Sequence, residues 1–147
     1  MKSTKTSKRP LPKPNIYMET QPFWDAAKNG DFLVQFCKDT DNAQWPPRPV
    51  SVYTGKRNLE WRVSTGKGKL YTWTNTLSAW PGHEDRLPYL CAMVELEEGI
   101  RVVTNLVDCD PETLFDGMAL MLIWEKLNED FFFPCFTPDL RAPFQRQ

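Results

Sequence analysis

The sequence predicts a mainly β protein: a short N-terminal helix, a ribbon that has lost its metal ligands, and a small closed barrel. Three observations carry this expectation. Apolar residues recur with period two in segments between residues 59 and 107, a period that puts alternate side chains on one face of a strand. Glycine-containing turns interrupt these segments at the spacing of short barrel strands. Ahead of them, residues 37–55 read as a pair of zinc knuckles without their ligands.

Thr20 is placed to cap a helix with Pro22 near its first turn and Gly30 just past its end, so residues 23–28 are helical with Phe23 and Trp24 on one aromatic face. Phe32, Val34 and Phe36 alternate with Leu33 and Gln35 and predict a strand leading into the first knuckle. The two knuckle turns, CKDT and SVYTG, are separated by the arm Trp45-Pro46-Pro47-Arg48-Pro49. Of the four ligand positions only Cys37 keeps its sulfur, and Thr40, Ser51 and Thr54 stand at the others. Neutral hydroxyls do not offset the cost of stripping water from the ion, so no zinc is expected. A structural zinc contributes on the order of 10 kcal/mol to folding a small ribbon. Packing by Trp45, Val50, Val52 and Tyr53 is expected to replace it.

Residues 59–63 and 70–77, joined by the turn 65–68, predict two barrel strands. A polar loop at 81–86 leads to 89–96, and Glu97-Glu98-Gly99 turns that strand back into 100–107 as a hairpin. Asp110-Pro111-Glu112-Thr113 starts a helix, and by pattern alone the apolar residues 114–127 continue it, with only Gly117 against.

A chain of 147 residues, 41% of them hydrophobic, suits one ordinary domain or two small ones sharing a core. Its net charge of −1 is unevenly spread, because the first 14 residues hold five basic and no acidic side chains. The remainder carries 13 basic against 19 acidic residues. The start therefore reads as a solvated basic arm. It lacks the apolar stretch of a signal peptide, and the longest apolar run, 118–124, falls short of the ~20 residues of a membrane span. Cysteines 37, 91, 109 and 135 show no disulfide framework, and reduced thiols in the cytoplasm are expected.

Catalytic equipment is sparse. His83 is the one histidine and lies in a polar loop, where a surface role is the expectation. Cys109 sits between Asp108 and Asp110, whose charges oppose a thiolate, and Cys91 falls at a strand position expected in the core. Residues 64–69 lack the spacing of a phosphate-binding loop, and no dinucleotide fingerprint is present. Glu97-Glu98 and Glu129-Asp130 have no recognisable partner in the sequence.

The segments around the knuckles follow a recognisable order. Pro22-Phe23-Trp24-Asp25 precedes Gly30-Asp31-Phe32-Leu33, the Trp45-Pro46-Pro47-Arg48 arm, Leu59-Glu60-Trp61 and Ser64-Thr65-Gly66-Lys67-Gly68. Leu87-Pro88-Tyr89, Glu97-Glu98-Gly99 and Asp116-Gly117-Met118 come later. From about residue 20 to residue 138 this resembles a family of small acyl-CoA-associated proteins, long catalogued as a domain of unknown function. They join a rubredoxin-like zinc ribbon to an OB-fold. The resemblance implies a basic arm at 1–19, a degenerate ribbon at 20–58, an OB-fold barrel at 59–138 and a tail at 139–147. It also implies a helical turn ending near Phe115 and a last barrel strand at 118–124, in place of a helix.

Members of that family accompany thiolases, sterol-carrier-type thiolases and aldolases, hydroxymethylglutaryl-CoA synthase, acyltransferases and hydratases. The implied function is a non-catalytic accessory subunit, with the nucleophile on a thiolase-superfamily partner and a CoA thioester shared between them. Trp24, Trp45, Arg48 and Tyr53 are the expected partner contacts, unless the aromatics pack on the chain's own barrel. Arg62, Lys67, Lys69, Trp73, Trp80 and Arg86 are the expected CoA contacts, the aromatics being equally suited to a core or an interface. The alternative is a nucleic-acid-binding OB-fold that stacks bases on exposed aromatics. The acidic body of the chain opposes it, since phosphate binding depends on positive charge.

Overall fold

The computed structural model describes residues 13–127 and 129–142. Most of the basic arm (1–12) and the end of the C-terminal tail (143–147) lie outside the described residues. Helix α1 spans Gln21–Ala27 and turns Phe23 and Ala27, one helical turn apart, into the core. Thr20 occupies its N-cap, but the hydroxyl reaches backwards instead of capping. It accepts from the Tyr17 N–H at 3.0 Å and donates to the Tyr17 carbonyl at 3.1 Å.

Strands β1 (Leu33–Cys37), β2 (Ala43–Gln44) and β3 (Leu59–Val63) form an antiparallel sheet in the order β2-β1-β3. The segment 59–63 was expected on the barrel, but it pairs with β1 from Leu33↔Val63 to Cys37↔Leu59. Alternation identified the strand and could not identify its partner, because the pairing closes through the whole knuckle region.

Strands β4 (Lys67–Thr76), β5 (Tyr89–Leu96), β6 (Arg101–Leu106), β7 (Ala119–Lys126) and β8 (Phe132–Pro138) close a barrel in the order β4-β5-β6-β8-β7. This is the five-stranded OB arrangement. Only the β6–β8 contact is parallel. β4 serves two neighbours, pairing with β7 at Lys67–Lys69 and with β5 along most of its length. Gly68 permits this, since a Cβ there would stand 2.7 Å from the Glu95 carbonyl oxygen and 2.8 Å from a Val94 methyl. A bulge at Tyr71 adds further bend.

In β5 the inward set is Leu90, Ala92, Val94 and Leu96. Cys91 is out of phase with it and only half-buried, so it is not the core residue expected. The segment after Asp110 is a short 3-10 turn, Pro111–Thr113, followed by β7, as the resemblance implied and the helical pattern did not. β7 is not the last strand: β8 follows it, pairing from Lys126↔Phe132 to Leu120↔Pro138.

Ribbon and barrel share one core. Phe32 stacks on Trp45 with centroids 5.1 Å apart, and Phe23 meets both rings edge-on at 5.1 and 5.3 Å. Phe23, Phe32, Val34 and Ala43 belong to the same buried cluster as Leu70, Val94, Leu120 and Phe136 of the barrel. Burying side chains of this size contributes roughly 2 kcal/mol each relative to exposure, which supports the ribbon from outside its own sheet.

Candidate functional site

Both knuckle turns keep their form. The Asp41 N–H donates to the Cys37 carbonyl at 2.8 Å, and the Gly55 N–H donates to the Ser51 carbonyl at the same distance. Each turn closes on a residue with positive φ, 56° at Asp41 and 72° at Gly55. Amide hydrogens point at the old ligand atoms: Tyr53 N–H donates to Ser51 Oγ at 3.1 Å, and Lys56 N–H to Thr54 Oγ1 at 3.3 Å.

The chemistry inside is that of one thiol among hydroxyls. Cys37 is 0% exposed. The Ser51 hydroxyl, then the Thr40 hydroxyl, donate to its sulfur, and with the backbone amides of Asp39 and Thr40 they lower its pKa to about 7. A closed zinc site needs four thiolates or imidazoles, so this donor set does not fit the ion. Among the described residues no group of three or more His, Cys, Asp or Glu side chains is placed to hold a metal.

The expected partner residues divide. Trp45 is half-buried in the aromatic seam, and Trp24 stands edge-on to Phe131 and Phe133 at 5.9 and 6.0 Å. Tyr53 has an exposed ring, fixed by its hydroxyl donating to the Ala43 carbonyl at 2.6 Å. With Val52 it walls a groove of about 430 Å³ whose opposite side is Glu95, Ile100 and Arg101. Arg48 lines a second groove of about 250 Å³ with Pro22, Arg57 and Trp61, and its guanidinium makes no ion pair among the described residues.

The expected CoA residues are not brought to one face. Arg62 lies on β3 in the ribbon sheet, hydrogen-bonded to Asp41 at 2.6 Å and to Glu60, with its guanidinium 4.2 Å over Phe36. The Asp41 bond and then the Glu60 bond raise its pKa. Lys67 and Lys69 are exposed at the start of β4, and Trp73 is half-buried against the core midway along it. Trp80, 84% exposed, and Arg86 lie in the loop 77–88 beyond its other end. An extended strand of that length spans up to ~30 Å.

Two of the other thiols are shifted away from ionisation. Burial, then Asp108 and Asp110, raises the Cys109 thiol, and burial, then Glu125, pushes Cys135 up to about 12. Glu97 and Glu98, without a partner in the sequence reading, grip Thr65: Glu98 accepts from its N–H at 2.8 Å and Glu97 from its hydroxyl at 2.7 Å. A phosphate at residues 64–69 would face two carboxylates. The sequence reading also missed Gln35 and Gln44, buried opposite each other on β1 and β2. A polar residue on an alternating strand reads as solvent-facing, so no local signal marks them.

The profile of the ChsH2 rubredoxin-like zinc ribbon domain matches residues 24–50, and that of the ChsH2 C-terminal OB-fold domain matches residues 61–124. A DUF35 domain-containing scaffold protein of Pyrococcus furiosus is 32% identical over 112 residues, covering 76% of this chain and 82% of that one. The chain belongs to the DUF35 family. A solved structure described as Ltp2-ChsH2(DUF35) aldolase contains a chain of the same fold, with a TM-score of 0.77 and 30% identity over 86% of this chain and 98% of that one. A probable enoyl-CoA hydratase alpha subunit of Thermomonospora curvata is 30% identical over 93% of this DUF35 chain. The chain spans 44% of that relative's length. No helix among the described residues is long and apolar enough to cross a membrane.

Proposed function

We propose that this DUF35 chain is a non-catalytic accessory subunit of a thiolase-superfamily acyl-CoA enzyme, with a ribbon that folds without zinc. The observation that carries the reading is the match along nearly the whole of a DUF35 chain described with an aldolase. Its own chemistry agrees: the one thiol with a lowered pKa is sealed from substrate, and the other shifted thiols are raised. The partner supplies the nucleophile and the DUF35 chain supplies a docking surface. Tyr53 and Arg48 present that surface from two separate grooves, with Trp24 and Trp45 as the further proposed contacts. Trp80 and Arg86 are the CoA contacts best placed to act together, while Arg62 is already held by two carboxylates. A cytoplasmic location suits four unpaired cysteines.

Purification of the tagged chain from its native host, with the bound protein identified by mass spectrometry, tests the reading. A thiolase-superfamily enzyme in stoichiometric amount is expected. A chain recovered alone, or bound only to nucleic acid, would overturn it.

A further inference from the structure

The two knuckles stay closed around a donor set that does not fit zinc, and a particular set of bonds spans them. Gln35 and Gln44 face each other in the β1–β2 register and are 5% and 3% exposed. Gln44 Nε2 donates to Gln35 Oε1 at 2.9 Å. From this pair four bonds reach the arm and the second knuckle that it leads into. Gln35 Oε1 accepts from the Arg48 N–H at 2.8 Å, and its Nε2 donates to the Arg48 carbonyl at 3.0 Å. Gln44 Nε2 donates to the Val50 carbonyl at 3.2 Å, and its Oε1 accepts from the Val52 N–H at 2.9 Å.

Pro46, Pro47 and Pro49 have no N–H to offer a ladder. The arm therefore cannot join the sheet as a strand, and the glutamine amides stand in for a neighbouring backbone. β1 runs directly into the first knuckle, so the same glutamines tie both knuckles to one strand pair.

We infer that Gln35 and Gln44 form a clasp that replaces the zinc cross-link and holds the knuckles in metal-binding form. The inference rests on the metal-free reading of the ribbon. It follows that the site reverts to a metal centre when its three missing sulfurs are restored.

Thermal unfolding of the full chain, with zinc and with a chelator, tests both ideas separately. Wild type is expected to keep its Tm in the chelator, and a fall there overturns the metal-free reading and the clasp with it. Gln35→Met and Gln44→Met keep side-chain length but orphan the arm's backbone groups, and each is expected to lower Tm by several degrees, ~5 °C. The triple variant Thr40→Cys, Ser51→Cys, Thr54→Cys is expected to bind about one zinc per chain by metal analysis. In its zinc-loaded form, Gln44→Met should shift Tm by much less than in wild type. If Gln44→Met does not fold in the wild-type background, recovery of folding in the zinc-loaded triple variant supports the clasp. Glutamine variants with wild-type Tm, a triple variant that binds no zinc, or an undiminished effect of Gln44→Met in the zinc form would each overturn it.

Discussion

Trp124 on β7 donates its indole N–H to the carbonyl of Gly30 at 2.8 Å, across 94 positions of sequence. The same ring lies 6.4 Å from Phe32 and 6.5 Å from Phe23, so one barrel strand is fastened to both the helix and the ribbon. Ribbon and barrel are therefore expected to unfold together. Trp124→Phe should cost about 1 kcal/mol, the worth of the lost bond, and Trp124→Ala about 3 kcal/mol. Urea unfolding followed by far-UV circular dichroism and by fluorescence checks this. Two separate wild-type transitions, or a neutral Trp124→Ala, would contradict it.

The parts of the fold that were legible are those in which burial imposes a local period. Leu90, Ala92, Val94 and Leu96 announce β5 because each must face the barrel interior. The phase of that pattern also places Cys91 outside, a point lost when a strand residue is read as core by type alone. β8 escaped notice because Pro134 and Pro138 argue against a strand, yet its parallel contact with β6 is limited to Leu106↔Phe136. The candidate site was legible as an absence: three lost sulfurs mark the ribbon. What replaced them was not, since Gln35 and Gln44 act through backbone groups of an arm brought to them by the fold.

Stability should carry the signature of Cys37. In the folded chain this thiol ionises near 7, and in the unfolded chain at its ordinary ~8.5. The lowered value makes the thiolate stabilise the folded state above the ordinary pKa, and this contribution is lost as pH falls through about 7. Denaturant midpoints measured from about pH 6 to pH 9 should therefore rise more steeply for wild type than for Cys37→Ser above pH 7, and run parallel below it. Parallel curves over the whole range would show that the thiol does not titrate there.

Arg48 and Trp45 should separate fold from association. Their neighbourhood in sequence suggests one partner-binding arm, but Trp45 is stacked on Phe32 while the Arg48 guanidinium is exposed. Arg48→Ala is expected to keep the wild-type Tm and to weaken the complex by roughly thirty-fold, about 2 kcal/mol, if it anchors a partner carboxylate. Lys is expected to rescue it poorly, lacking the planar fork. Trp45→Ala is expected to lower stability by about 3 kcal/mol, with any loss of binding following from that. Calorimetric titration beside thermal unfolding decides, and an Arg48→Ala variant with unchanged affinity removes Arg48 from the interface.

The purified chain is expected to turn over no acyl-CoA, and His83→Ala to leave the turnover of the assembled complex nearly unchanged. Cys37 has the pKa of a nucleophile without access, and Cys109 and Cys135 are pushed away from ionisation by burial and nearby carboxylates. His83 sits in the loop after Trp80, its backbone N–H donating to the Trp80 carbonyl at 3.0 Å. That loop can meet a CoA moiety through the exposed Trp80 ring, so Trp80→Ala should raise KM for the acyl-CoA while leaving the turnover number alone. Steady-state kinetics on complexes of verified stoichiometry distinguish the roles. A fall in turnover number of ~100-fold or more for His83→Ala, with assembly intact, is the scale of lost acid–base catalysis and would make this subunit part of the active site.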